Sequence, residues 1–413
     1  MSVLRNIMQA ERRHNRHLGS MLLLSVLLAG CQGESQPPAE TAATGQAATT
    51  TQRQATSRAA SDCHVAVTHD AQHAYDGLAA RLAEGKSVTE ADFQAMCDDT
   101  DYALWLKTLE LSYINGPIMR NVMTYVYAPP PSGSDTTRRP PKRSELTENL
   151  TYVRDHTADL ARVIADFQAE QRQCQVLEHL DGFLNAEQMP TDLTVSFLTL
   201  LPEIRFLDNH LLVDTGLAIA ARPELLTRLM ASVVYRDIAA PPGRQPHENL
   251  PGEEALVATF QKLRFEGIAS WLEDFANVSF DPDHPQLGKA DKGRQDIQVK
   301  VAEVMNGVIR YLAIALRDDE SLHLQGNLVD DVMRGAAGYG RTGYAMAELI
   351  VKEFGERRLH EVSHQASAFL QSYQDAAIKL NATTERSATQ PLLPPFPAED
   401  FEKVMQLLRE HGA

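Results

Sequence analysis

Cysteine is scarce here, four in 413 residues. So few cannot frame a disulfide scaffold, and without a C-x-x-C spacing they form neither a thiol-redox pair nor a cysteine zinc site. Basic residues are outnumbered, 39 to 55, for a formal charge of -16. A surface of that sign repels phosphate, which excludes nucleic acid as a general partner and makes an anionic bilayer a poor one. Aromatic residues reach only 6%. There is no G-x-S-x-G elbow for a nucleophilic serine, and the acids at Asp281, Asp283, Asp291 and Asp296 lack EF-hand spacing. No hydrophobic run approaches the ~20 residues of a membrane-spanning helix. What is present is ordinary globular material, 43% hydrophobic and 23% charged, long enough for one large or two medium cores.

The first thirty residues are laid out like an export signal. Arg5, Arg12, Arg13 and Arg16 precede the short apolar run Met21 to Leu28, which ends in Leu28-Ala29-Gly30-Cys31. That ending resembles the bacterial lipobox, and the resemblance implies cleavage before Cys31 and transfer of diacylglycerol to its thiol. Cleavage leaves 35 basic and 54 acidic side chains, a net of -19. Gln32 follows where inner-membrane lipoproteins usually carry aspartate, so the expected address is the outer membrane, facing the periplasm. Residues 32–62 are rich in Gln, Pro, Ala, Thr and Ser. Such a stretch cannot repay its ordering entropy, and it reads as a flexible tether. The expected organisation is therefore a signal over 1–30, a tether over 31–62 and a body over 63–413, with a sub-boundary near 181–190. Among Cys63, Cys97 and Cys174 at most one internal bridge forms, and spacing does not choose it.

The body reads as mainly α with a small central β-sheet, an α+β class. Helices are expected over Thr68 to Leu82, after a Ser87-Val88-Thr89-Glu90 capping box, over Asp101 to Ile114, and after Pro117. A proline-rich break over 128–143 precedes one long helix from Ser144 to Leu180. Leu193, Val195 and Phe197 alternate with polar residues, and 204–207 and 211–213 are strand-like, giving two or three strands with turns at Pro202 and Asp208-Asn209. Helices resume at Pro223 and continue over 253–277, 296–318, 342–354, 356–380 and 398–411.

Two motifs carry possible chemistry. Gly338-Tyr339-Gly340-Arg341-Thr342-Gly343 satisfies G-x-G-x-x-G, but helix-like sequence precedes it where a dinucleotide site requires a strand, so it reads as a tight inter-helix turn. His360-Glu361-Val362-Ser363-His364 satisfies H-E-x-x-H. On a helix the two imidazoles could share a zinc ion while Glu361 polarises its water. The third ligand would come from Glu385, Glu399, Glu402 or Glu410. Against this, Leu359, Val362, Ala366, Phe369, Tyr373 and Ala377 form one apolar stripe, which turns His360 and His364 toward the solvated face with Glu353, Arg357, Gln371 and Asp375.

Several stretches together resemble a family of zinc-dependent peptidases with a gluzincin-like fold. They are Ala83 to Phe93 with Asp101-Tyr102, Leu201-Pro202 with the 204–219 strands, Arg264-Phe265-Glu266-Gly267-Ile268-Ala269, and Gly340 to Tyr373. The resemblance spans roughly 70–380 and implies a zincin-like helical body in which Glu266 is the glutamate ligand. It places the metal helix at Pro223 to Arg236, where the motif positions read Met230-Ala231-Ser232-Val233-Val234. Met230 and Val234 cannot bind zinc and Ala231 cannot act as a base, so Glu266 is left as an orphan ligand position.

Three functions follow as expectations. The first is a lipid-anchored envelope protein that keeps the peptidase scaffold, takes no cofactor, and binds a peptide or protein without cleaving it. The second is an active zinc metallopeptidase using His360, Glu361 and His364. The third is an inhibitor, immunity or assembly lipoprotein whose acidic surface meets a basic partner.

Overall fold

Strand sequences with apolar residues on both faces need cover on both sides, and the chain supplies it with two groups of helices. The computed structural model describes residues 65–108, 114–130, 141–240, 250, 252–290, 297–335, 338–383 and 394–413. The expected signal over 1–30, the expected tether over 31–62, and Cys31 and Cys63 lie outside the described residues. Strand β1 (Val65–Thr68) is followed by helices α1 (Asp70–Ala83), α2 (Glu90–Cys97), α3 (Thr100–Thr108) and α4 (Gly116–Tyr127). Then come α5 (Ser144–Asp155), α6 (Thr157–Ala169), α7 (Arg172–Leu180), strands β2 (Leu193–Leu198), β3 (Ile204–Leu207) and β4 (His210–Asp214), and α8 (Thr215–Ala220). The remainder is helical: α9 (Pro223–Ile238), α10 (Gly252–Leu272), α11 (Leu287–Ala290), α12 (Ile297–Ala315), α13 (Asp319–Gly335), α14 (Gly338–Phe354), α15 (Glu356–Val362), α16 (Ala366–Thr383) and α17 (Ala398–Glu410). The expected class, mainly helical with a small sheet, is the one found. Among the described residues no helix is long and apolar enough to cross a membrane.

The sheet runs β1-β2-β4-β3. β1 and β4 lie parallel to β2, and β3 returns antiparallel to β4 through Asp208 and Asn209, both at positive φ. Val195, Phe197, Leu211 and Val213 face the large core built by the C-terminal helices. Leu198 and Leu212 face a smaller core made by α1 to α5. The alternation in β2 therefore does not mark a wet face, because Ser196 is fully buried beneath the N-terminal helices. The four residues of β1 are too short to carry a period, and Thr68, the expected helix start, ends that strand instead.

Other boundaries moved for local reasons. The stretch 144–180 is three helices rather than one, interrupted at His156 and by Gln171 at positive φ. The capping box sits two residues later than expected: the Thr89 hydroxyl accepts from the Asp92 amide, and the Asp92 carboxylate accepts from the Thr89 amide. Two pieces of the sheet are tied to the helices by one buried group. Asp214 caps α8 by accepting from Leu217 N at 3.0 Å, and it also accepts from Leu200 N at 2.7 Å and from Asn149 Nδ2 at 3.0 Å. Burial outweighs these donors and pushes its carboxyl up to about 7. Asn149 Oδ1 in turn meets Nε2 of buried His284 at 3.2 Å. Cys174 is disulfide-bonded and Cys97 is a buried free thiol.

Candidate functional site

Helix α9 begins with Pro223 in its first turn, has Glu224 at its N-terminal end and Arg236 in its last turn, the charge order that the helix dipole favours. Leu226, Leu229, Met230 and Val234 are buried in the large core. Four-residue steps along another face give Arg228, Ser232 and Arg236, and each of them engages α10 or the turn that follows it. Arg228 donates to the carbonyls of Trp271 and Leu272 at 2.8 and 3.0 Å, closing the C-terminal end of α10. The Ser232 hydroxyl lies 2.9 Å from the Ala269 carbonyl and 3.0 Å from Glu273 Oε1, so one of the two accepts its proton.

Arg236 completes the cluster. Its Nη1 donates to Ser232 Oγ at 2.6 Å and pairs with Glu273, while its Nε approaches Glu266 Oε2 at 3.4 Å. Only 5% of the Glu273 side chain and 15% of Glu266 are exposed, against 26% for Arg236. Burial works against the guanidinium charge, but Glu273 and then Glu266 outweigh it and raise the Arg236 pKa above its ordinary value. Glu266, the orphan ligand position of the resemblance, is half of a carboxylate pair closed over one arginine. Breaking such a buried pair from one side leaves an uncompensated charge, typically at a cost of about 3–5 kcal/mol.

The His360 region is built differently. The expected helix over 356–380 is broken: α15 stops at Val362, Ser363 and His364 form a turn, and α16 starts at Ala366. The Arg264 guanidinium donates to the Ser363 carbonyl at this break. His364 therefore lies just past the end of the helix that carries His360, on an exposed turn. The apolar stripe is buried throughout, with Leu359, Val362, Ala366, Phe369, Tyr373 and Ala377 all at 2% exposure or less. His360 is half-buried, its ring edge-on to Phe183 with centroids 4.5 Å apart. It also lies against Gly182, where a Cβ would meet its Nδ1 at 2.5 Å. Glu361 is exposed and pairs with Arg357 at 3.2 Å and Arg358 at 3.3 Å. His364 is exposed, and partial burial followed by the nearby Arg264 charge lowers its pKa.

The glycine motif is a packing device. Gly338 opens α14 at positive φ, and Gly340 and Gly343 lie inside that helix. A Cβ on Gly340 would meet Ser270 Oγ at 2.7 Å, so these glycines set the approach of α14 to α10 and do not form a phosphate turn. A cleft of about 400 Å³ opens at the other end of α9, lined by Arg162, Asp166, Arg222, Phe280 and Asp281 among others. It lies roughly 20 Å along the helix from Arg236 and is separate from the charge cluster.

The model of the family described as "Putative zinc dependent peptidase (DUF5700)" matches residues 118–382, more than half of the chain. The chain belongs to this family. No curated protein and no solved structure matches it. The match to the zinc-dependent peptidase family begins later than the sequence reading placed it, so the helix pair over 83–102 falls outside the matched span. Zinc is what that description implies, and the donor chemistry decides whether the residues fit it. Among the described residues no three His, Cys, Asp or Glu side chains gather to hold a metal ion. Glu361, the acid of the H-E-x-x-H string, is exposed and paired with Arg357 and Arg358. On α9, Met230 and Val234 point into the core, while the positions facing Glu266 and Glu273 hold a hydroxyl and a cation. Neither group replaces an imidazole as a zinc ligand. The described residues do not fit the metal. The sequence analysis singled out Met230 and Val234 on α9 and not Ser232 and Arg236, the side chains that reach Glu266 and Glu273. The available signal was the polar stripe Arg228-Ser232-Arg236 on an otherwise apolar helix.

Proposed function

We propose that this chain is a lipid-anchored protein of the bacterial cell envelope whose peptidase-like body holds a peptide or protein segment without cleaving it. The observation that carries the reading is the helix pair α9–α10, in which Ser232 and Arg236 stand where ligands would have to face Glu266 and Glu273. Family membership supports a scaffold shaped for polypeptide. So does β3, an edge of the described sheet that runs antiparallel to β4 and packs near α9. Edge strands present unpaired backbone groups that an extended peptide can match. The Arg-rich leader, apolar run and Leu28-Ala29-Gly30-Cys31 support export and a diacylglyceryl anchor on Cys31, and Gln32 supports the outer membrane. The net -19 of the processed chain favours a basic segment as the bound one.

The test pairs binding with cleavage. Purified mature protein is mixed with fluorescent extended peptides of graded charge, followed by anisotropy and by mass spectrometry of the same samples. The expected result is salt-sensitive binding of basic peptides that are recovered whole. Chelator-sensitive cleavage abolished by Glu361→Gln would establish instead the second reading, a working metallopeptidase, which the family description favours.

A further inference from the structure

We infer that Arg236 is a built-in cation that occupies the place between Glu266 and Glu273 where a zinc ion of the kind the family description names would have to sit, neutralising with its guanidinium the carboxylates a divalent ion would otherwise bind. The inference uses the same helix pair as the proposed function but does not depend on any peptide being bound. Three features argue for it. The carboxylates of Glu266 and Glu273 come from α10 and the turn beyond it, seven residues apart, and both reach one guanidinium on α9. Two nearly buried carboxylates thus share a single guanidinium, and an opposite charge at that range is what offsets the cost of taking acids out of water. Ser232, one turn before Arg236, accepts from the guanidinium and touches Glu273, so the arginine is held in place by a neutral group as well as by charge. Arg228, a further turn back, closes the end of α10 and fixes the turn that carries Glu273.

A covalently attached cation differs from a metal ion in two testable respects. It cannot be removed by a chelator, and it leaves no open position for water. Replacing it with a ligand should convert the cluster into a metal site, because imidazole at 236 with Glu266 and Glu273 makes three nitrogen and oxygen donors, the number of protein ligands a catalytic zinc takes. The inference therefore predicts a latent site that one substitution uncovers, in a chain that is indifferent to zinc as it stands.

The experiment strips the mature full chain with chelator, adds zinc chloride, counts bound metal by elemental analysis and records the melting temperature with and without one equivalent. Wild type is expected to hold no zinc that Glu273→Gln removes and to show no zinc-dependent shift. Arg236→His is expected to take up one equivalent and to melt several degrees higher with zinc than without. Arg236→Lys, which keeps the charge, should fold and ignore zinc. Stoichiometric zinc in wild type lost on Glu273→Gln overturns the inference. A folded Arg236→His that neither binds zinc nor shifts overturns it too. Should Arg236→His fail to fold, the wild-type titration with its Glu273→Gln control decides alone. Peptide binding is read in a separate assay, so its failure leaves these outcomes intact.

Discussion

Gly343 of α14 lies so close to Gly267 of α10 that a Cβ on Gly343 would come within 2.5 Å of the Gly267 Cα. The obstruction is backbone, which cannot swing aside as the end of a side chain can. Gly343→Ala should therefore destabilise the protein by about 3 kcal/mol, while Gly340→Ala, which meets the Ser270 hydroxyl, should cost less. Urea denaturation of the two variants checks the order, and equal losses would contradict a backbone crossing at Gly343.

The H-E-x-x-H string should be dispensable for stability at two of its three chemical positions. Glu361 is exposed and its ion pairs are solvated, so Glu361→Gln should change stability by less than about 0.5 kcal/mol. His364→Ala should behave the same way, because His364 lies on an exposed turn. His360→Ala should cost more, roughly 1 kcal/mol, through the lost contact with Phe183 and Gly182. Parallel denaturation curves test the ranking.

His284 should make the fold sensitive to acid. Burial lowers its pKa from 6.5 to about 4, the Asp281 charge only partly opposing that, and its Nδ1 accepts from the amides of Gln286 and Leu287. Between those values the unfolded chain takes up a proton that the folded chain refuses. The stability conferred by the neutral ring is complete above about 6.5 and is lost as pH falls toward 4, by roughly 3 kcal/mol at most. Asp214, raised to about 7, acts in the opposite sense, since there the folded chain keeps a proton that the unfolded chain has released. Its contribution is fully present below the usual carboxylate range and is lost as pH rises to about 7. His284→Gln should flatten the acid limb of a stability–pH curve and leave the limb between pH 6.5 and 7 unchanged.

Thiol counting should separate the four cysteines. Burial, with Asp98 adding to it, pushes Cys97 up to about 11, so it should resist alkylation in the native protein. Denaturation without reductant should release one reactive thiol if Cys31 carries lipid and Cys63 is the partner of Cys174. A peptide map joining Cys31 to Cys174 would refute the lipid assignment.

Element types were readable where the period was long. The stripe from Leu359 to Ala377 predicted burial correctly even though the helix breaks at Ser363, because the break preserves which side faces inward. Interruptions were harder to see: nothing at Gln171 announces a left-handed residue, so three helices read as one. The candidate site was less legible still. A motif search looks for ligands, and Ser232 and Arg236 are not ligands. Their meaning appears only when Glu266 and Glu273, 30 and 37 positions beyond Arg236, are brought to the same face.

One helix thus has two duties. Glu266 and Gly267 are consecutive, so the acid that clasps Arg236 and the bare backbone that admits α14 share a single turn of α10. Any bulk that pries the helices apart at the glycine will tilt its neighbour's carboxylate, and the guanidinium will register damage done on the far side of the rod.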